Sequence, residues 1–300
     1  KKIYFNIIEK RNLWFFISFF IFFIAFVIGM KLFFSTQPIF NYGIDFKGGN
    51  TYLLRLPSIQ EKFHQENGDR NSIVVDYIEQ FRLVLLDFSL DKSSIQFVDD
   101  GDVLIKMLSI DQDLSSQLLE KFRQKFGEVE ILEIDYIGPS IGEELKKKSI
   151  WIVILISLVL LLYVTFRFEF FYGMAALFAL FHDAFMILSF AVIFQFEINL
   201  AFVAALLTIL GYSINDTIVI FDRVRENESQ LDGLSSLDYI INLSLNQTFK
   251  RTINTSLTTL IVVGSMVVFG GVTIQSFCLV LFLGIIIGTY SSVFIASPFL

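Results

Sequence analysis

Three apolar stretches of this chain contain groups that can do chemistry. One holds Ser213, Asn215 and Asp216, a second holds His182-Asp183, and a third opens with Arg251, Asn254, Thr255, Ser256, Thr258 and Thr259. An ionisable side chain inside a membrane span costs about 2.5–3.5 kcal/mol on insertion scales, so each is a functional candidate by default. The chemistry they share is the handling of protons or ions. Tyr212 and Ser213 lie one helical turn from Asp216, and Arg251 shares a face with Asn254, Thr255 and Thr258. Asp216 is about five residues from the inner end of its run, roughly 7–8 Å at 1.5 Å per residue. Arg251 is near the inner end of the next run, so the two can meet. Blander roles compete: Arg251 can snorkel to the headgroups, and His182-Asp183 reads more readily as a satisfied packing pair. Asp216 is harder to dismiss.

Other chemistries find no support. Cys278 is the single cysteine, which excludes an intramolecular disulfide and a thiolate cluster. The two histidines, His64 and His182, are far apart, so a structural zinc site is not expected. No G-x-x-x-x-G-K-[ST] loop is present for nucleotide phosphates. The carboxylates outside the apolar runs are scattered, and His64 reads as a solvated side chain in a polar loop. The expectation is a protein that is not an enzyme, with no metal and no cofactor.

The elements that hold these residues are membrane helices. Of 300 residues 54% are hydrophobic, 36 are phenylalanine, and the mean hydropathy is +0.65, which places the chain outside the soluble class. Six runs approach or exceed the roughly 20 residues a crossing needs: 13–34, 149–166, 170–194, 198–221, 251–272 and 276–297. Residues 1–12 are then an N-terminal segment and 222–250 a loop. The first run reads as an uncleaved anchor rather than a signal peptide. Lys1, Lys2, Lys10, Arg11, Arg167, Arg223, Arg225, Lys250 and Arg251 flank one set of ends, while the short loops 195–197 and 270–275 have no Lys or Arg. By the positive-inside rule both termini are cytoplasmic and the polar block 36–148 is external. That block has 13 Lys and Arg against 20 Asp and Glu, so it accounts for the whole net charge of −7, and a nucleic-acid partner is excluded by repulsion.

Within the block the patterns predict strands at 50–56, 94–98, 103–108 and 128–137. Amphipathic helices are expected at 71–90 and 111–126, and Asp99-Asp100-Gly101-Asp102 as a hairpin turn. The order β-α-β-β-α-β is that of a ferredoxin-like sandwich. The fold class is therefore a polytopic α-helical membrane protein of six helices, with an α+β ferredoxin-like external domain (35–148) between the first two. In the last span Gly284, Gly288, Ser292 and Ala296 recur every four residues, a row that admits a close helix neighbour, more readily within this chain than from a partner.

Four segments carry a family resemblance. They are Tyr42–Gly49, with Gly43, Asp45, Lys47, Gly48 and Gly49; Gly138–Leu145, with Gly138, Pro139 and Gly142; Gly211–Asn227; and Asn246–Ser256. Together they resemble the SecF family of bacterial protein-export subunits, within the SecD/SecF group of the resistance-nodulation-division superfamily. The resemblance implies a subunit that works with SecD in the cytoplasmic (inner) membrane. It would use the proton-motive force to help preproteins cross after the SecYEG channel and SecA have begun the work. It also implies that Asp216 is the family's membrane carboxylate and Arg251 its membrane arginine. A small-molecule or lipid exporter of the same superfamily, and a translocon assembly factor that moves no ions, are the competing readings.

Overall fold

The computed structural model describes residues 6–65, 70–91, 93–98, 101–231, 235–270 and 272–300. The long apolar runs are helical because a helix satisfies its own backbone N–H and C=O groups where water is absent. After a 3-10 turn at Ile8–Lys10 come α1 (Arg11–Phe34), α2 (Ile44–Lys47), β1 (Gly49–Arg55), α3 (Pro57–Gln65), α4 (Arg70–Asp87), β2 (Ser94–Phe97) and β3 (Val103–Met107). They are followed by α5 (Gln112–Phe126), β4 (Glu130–Ile137), α6 (Pro139–Arg167), α7 (Phe170–Phe194), α8 (Leu200–Leu231), α9 (Leu237–Phe269) and α10 (Val272–Ser291). A π turn at Ser292–Ala296 continues α10 into the short α11 (Ser297–Phe299). Six helical stretches, α1 with its entering turn and α6 through α10 with its continuation, are long and apolar enough to cross a membrane.

The chain divides into two units: residues up to Asn41 with Ser149–Leu300, and Tyr42–Lys148. Asn41 falls with the helices because its carbonyl accepts Ile198 N–H at 2.7 Å and its Nδ2 donates to Gln195 O at 3.2 Å.

In the helical unit α8 and α10 are the most enclosed, while α1, α6 and α9 present most of their surface outward. Small residues on α7 (Ala175, Ala176, Ala179) let it settle against Leu210, Ile214 and Phe221 of α8 in one buried cluster. Most of the described part of 222–250, expected as a loop, is helical: α8 runs ten residues past Phe221 and α9 begins thirteen before Lys250. The reason is amphipathicity: Val224 and Asn227 on α8, and Ile240, Ile241, Ser244, Leu245 and Thr248 on α9, are buried at helical spacing. Asn227 Nδ2 donates to Ser244 Oγ at 2.7 Å and to Gln247 Oε1 at 3.0 Å, joining the two extensions. A hydropathy window detects membrane thickness, and a polar amphipathic helix escapes it. The N-terminal segment docks on the same extensions. Asn242 Oδ1 accepts Ile7 N–H at 2.9 Å and Ile8 N–H at 3.2 Å, and both isoleucines are buried.

α6 likewise starts ten residues before the expected 149–166, with Pro139 at a helix start, where its missing N–H costs nothing. Glu143–Lys147 at 3.1 Å and Glu144–Lys148 at 2.7 Å are i,i+4 pairs that support this polar first part.

The unit Tyr42–Lys148 holds a four-stranded sheet of order β2-β3-β1-β4, antiparallel throughout, with Tyr52 opposite both Ile105 and Ile134. Tyr52, Leu54, Val103, Ile105 and Met107 form one buried cluster with Tyr77, Phe81, Val84 and Leu85 of α4 and Leu118, Phe122 and Phe126 of α5. Phe81 is the hub, its ring 4.3 Å from that of Phe126 and 5.2 Å from that of Phe122. Asp111 caps α5 by accepting Leu114 N–H at 2.8 Å. Arg55 Nε and Nη2 donate to the two oxygens of Asp102, each at 3.0 Å, a bidentate clamp between β1 and the start of β3. α2 and α3 are additions to the expected plan, and α3 contains His64, which therefore lies on a helix and not in a loop. Asp99 and Asp100 of the expected turn lie outside the described residues.

Candidate functional site

His182 and Asp183 sit midway along α7, both buried, Asp183 completely. Successive helix residues point about 100° apart, so the pair faces two neighbours at once. His182 Nε2 is 2.8 Å from Ser18 Oγ of α1, and Nδ1 is 3.2 Å from Asp183 Oδ1. Asp183 Oδ2 accepts the hydroxyl of Ser213 on α8 at 2.5 Å, and Ser213 Oγ is 3.5 Å from Ser291 Oγ on α10. Ser18 Oγ lies 3.4 Å from Tyr290 Oη, which donates to the Trp14 carbonyl at 2.7 Å. One hydrogen-bonded chain thus crosses α1, α7, α8 and α10. Sequence reasoning weighed His182-Asp183 as packing and did not find Ser18, Tyr290 or Ser291. Ser18 is one hydroxyl in a run of phenylalanine and isoleucine, and no spacing rule links it to a residue 164 positions on.

Asp216 faces the other side of α8. It is 4% exposed, and its Oδ2 is 3.5 Å from Ser256 Oγ of α9. Ser256 Oγ is also 2.7 Å from Thr289 Oγ1 of α10, so α8, α9 and α10 meet at this carboxyl. Thr252 Oγ1, one turn below Ser256, is buried and without a hydrogen-bond partner among the described residues. Arg251 is exposed, and among the described residues no ion pair joins it to Asp216, although the sequence puts them within reach. Ser256 takes that place because it lies level with Asp216, while Arg251 is five residues nearer the N-terminal end of α9, about 7.5 Å at 1.5 Å per residue. Asn215, Asn254 and Thr255 are exposed on the same helices, and Thr255 Oγ1 donates to Arg251 O at 3.0 Å. Polar side chains inside a span face a protein interior or water rather than lipid. An outward polar strip runs from Asn215 to Arg251 and Asn254.

The four-residue row on the last span packs within the chain. A Cβ on Gly284 would overlap Ile209, and one on Gly288 would lie 3.0 Å from Ser213 Cβ. Ser292 Oγ donates to Ser213 O at 3.1 Å across the same contact. The row brings α10 against the two turns of α8 that precede Asp216.

In the second unit the glycine motifs converge on one spot. Gly48 has φ +77°, open to glycine, and a Cβ there would come within 2.7 Å of Pro139 Cα. A Cβ on Gly142 would stand 2.9 Å from Gly48 N, and one on Gly49 would overlap Met107 O. Gly48, Pro139 and Gly142 thus form a backbone-to-backbone contact between the α2–β1 turn and the start of α6, while Gly49 lies against β3. Gly43 is the N-cap of α2, within which Asp45 and Lys47 lie, and Gly138 precedes Pro139. Their chemistry is structural: side chains are missing where backbones must touch.

Comparison with known proteins places these features. Residues 117–300 match the family model described as protein export membrane protein SecD/SecF, C-terminal, and residues 40–56 match the SecD/SecF GG motif. The chain is 37% identical over 98% of its length to the protein translocase subunit SecF of Sebaldella termitidis, covering 90% of that protein. It is 37% identical over 91% of its length to that of Haemophilus influenzae, covering 79% of it. Among solved structures it resembles SecDF of Thermus thermophilus, described as a translocon-associated membrane protein, with a TM-score of 0.80 at 31% identity. That match covers 98% of this chain and 38% of the SecDF chain. With the helices, the glycine contact and the buried carboxylates already in hand, matches of this extent establish that the chain belongs to the SecF family of protein translocase subunits.

Proposed function

We propose that this chain pairs with SecD in the cytoplasmic membrane and uses the proton-motive force to assist preproteins after SecYEG and SecA have started them across. In this reading both termini are cytoplasmic, and the unit Tyr42–Lys148, a ferredoxin-like domain by its strand order, is external. The observation that carries the proposal is Asp216, a buried carboxyl at the junction of three membrane helices beside an outward polar strip. A carboxyl in such a place avoids an unpaired charge either by binding a proton or by meeting a cation. Arg251 is the cation available on the neighbouring helix. Alternation between the two states changes what α8 and α9 gain by approaching each other, which shifts their packing. The membrane potential supplies about 2.3 kcal/mol per elementary charge per 100 mV.

Two surfaces support a SecD partner. The strip of Asn215, Arg251, Asn254 and Thr255 needs cover inside the bilayer. β4 is an edge strand with Ile131, Leu132, Ile134 and Tyr136 exposed, and open apolar edges recruit further chains. The solved SecDF chain, of which this chain spans 38%, has the length to provide that cover.

The test is Asp216→Asn in vesicles holding this chain and SecD. The amide keeps size and the hydrogen bond to Ser256 but cannot ionise. Complex recovery is expected to be unchanged, with proton flux and proton-driven export both lost. Wild-type flux and export in the variant would overturn the proposal, and absence of flux in the unaltered complex would leave an assembly role instead.

A further inference from the structure

The chain Tyr290–Ser18–His182–Asp183–Ser213 carries information that a role for Asp216 does not use, because nearly every proton in it has a destination. Tyr290 Oη donates to the Trp14 carbonyl, so its oxygen is what Ser18 Oγ can donate to, at 3.4 Å. Ser18 Oγ can either accept from His182 Nε2 or donate to it, so the ring hydrogen sits on either nitrogen, and on Nδ1 it faces the carboxylate. On the far side Ser213 Oγ donates to Asp183 Oδ2, and Ser291 Oγ, which donates to Gly288 O at 3.1 Å, also borders the carboxyl. A proton on the carboxyl has room on Oδ1, which faces His182 Nδ1. The imidazole and that oxygen are where the neighbours leave a proton undetermined.

We infer that His182 and Asp183 form a second proton-binding site, which takes one proton on the imidazole or on Oδ1 and reports its charge to α8 through the Ser213 hydroxyl. Without the proton the imidazole is neutral, with hydrogen on one ring nitrogen, and Asp183 is a carboxylate. Binding forms one N–H or O–H bond on the pair, which becomes neutral overall, as imidazolium with carboxylate or as imidazole with carboxylic acid. No other group changes charge, and the two titrate as a unit. The Ser213 hydrogen bond is charge-assisted while the carboxylate persists and roughly half as strong to a neutral acid, so the hold of α7 on α8 changes with the proton.

The groups facing the pair are few. α10 brings Tyr290, already in the chain, and α8 brings Asp216, turned toward Ser256 of α9. α1 brings Ser18, its Arg11 and Lys31 lying near its ends. His182 also borders a cavity of about 640 Å³ between α1 and α7, walled by Phe22, Phe26, Phe178, Phe181 and Phe185, whereas Asp183 is 0% exposed. The imidazole, itself buried, is therefore the side of the pair that borders this cavity. Its place in an export cycle rests on the proton-coupling reading above, while its existence as a site does not.

Two histidines make the test direct: His64→Ala leaves His182 as the one imidazole. The full chain with SecD in vesicles, labelled with ¹⁵N-histidine, is followed by solid-state NMR between about pH 8 and pH 5, the range in which histidine commonly titrates. One ring nitrogen is expected to stay protonated throughout, with the signal of the other shifting as pH falls. Asp183→Asn should abolish that shift, because an imidazolium without its counter-charge is too costly among phenyl rings. Should Asp183→Asn fail to fold, Ser213→Ala is read instead, and it should displace the pH of the shift. Asp216→Asn should leave the shift intact whatever happens to export, which separates the two sites. Constant signals from both ring nitrogens in the unaltered complex overturn the inference. So does a shift that survives Asp183→Asn, or is indifferent to Ser213→Ala, or vanishes with Asp216→Asn.

Discussion

Gly288 of α10 stands so close to Ser213 of α8 that a Cβ built on the glycine would lie 3.0 Å from the serine Cβ and 3.4 Å from its Cα. The same serine holds the Asp183 carboxylate at 2.5 Å. A close contact between α8 and α10 and the buried ionisable pair therefore share one residue, and disturbance of either reaches the other.

Gly288→Leu should force α10 off α8, since a branched side chain has no room at a contact already at van der Waals limits. A loss of about 1–3 kcal/mol is expected for overpacking of this kind. Thermal stability of the purified chain in mild detergent, without SecD, measures it. An unchanged melting temperature would mean that the two helices separate at no cost.

Arg251→Lys separates a guanidinium that must meet Asp216 from one that anchors at headgroups. A planar fork and a point charge are not equivalent partners for a carboxylate, so proton-driven export should fall about tenfold, the equivalent of about 1.4 kcal/mol. An anchoring arginine would accept lysine without loss.

Residues Tyr42–Lys148, expressed alone, should fold cooperatively around the Phe81 hub. Phe81→Ala should then cost about 3–5 kcal/mol, the range for deleting a fully buried phenyl group. Urea denaturation of the isolated unit measures both. A broad transition in the unaltered unit would show that it depends on the helices.

Asn242→Ala removes the acceptor shared by Ile7 and Ile8 N–H and should cost about 1–3 kcal/mol for the donors left behind. Limited proteolysis should then cut the chain near residue 8. Asn242→Asp keeps the oxygen and should retain protection, which distinguishes loss of the bond from loss of shape.

The membrane helices were legible in the sequence because the cost of bare backbone in hydrocarbon imposes a length and an apolarity that no other element shares. The strands and α4 and α5 were legible by period, with Tyr77, Phe81 and Leu85 marking one helical face and Val103, Ile105 and Met107 alternating. Asp216 stood out because a carboxylate in a span is costly. The helical stretch after Phe221 did not stand out, since Asn227, Ser244 and Thr248 are buried by hydrogen bonding rather than by apolarity. The chain through Ser18, Tyr290 and Ser291 was hidden for a further reason: serine and tyrosine are unremarkable singly, and what unites these residues is distance in space. For Asp216 and Arg251, proximity along two helices was readable and the side-chain partner was not, since Ser256 lies level with the carboxyl.

The hydroxyls along α10 have a mechanical consequence. Ser292 Oγ reaches Gly288 O of its own helix at 2.9 Å as well as Ser213 O across the seam at 3.1 Å. Thr217 Oγ1 reaches Ser213 O on its own helix at 3.2 Å and Ser292 Oγ across the seam at 2.9 Å. Ser256 Oγ does the same with Thr252 O at 2.9 Å and Thr289 Oγ1 at 2.7 Å. Each has an acceptor at home, so axial displacement of α10 exchanges a crossing bond for a local one and leaves no buried donor bare. Ile209 seated in the notch at Gly284 sets the position of the helices along the seam, while the hydroxyls on either side of it re-pair locally and so tolerate small displacements.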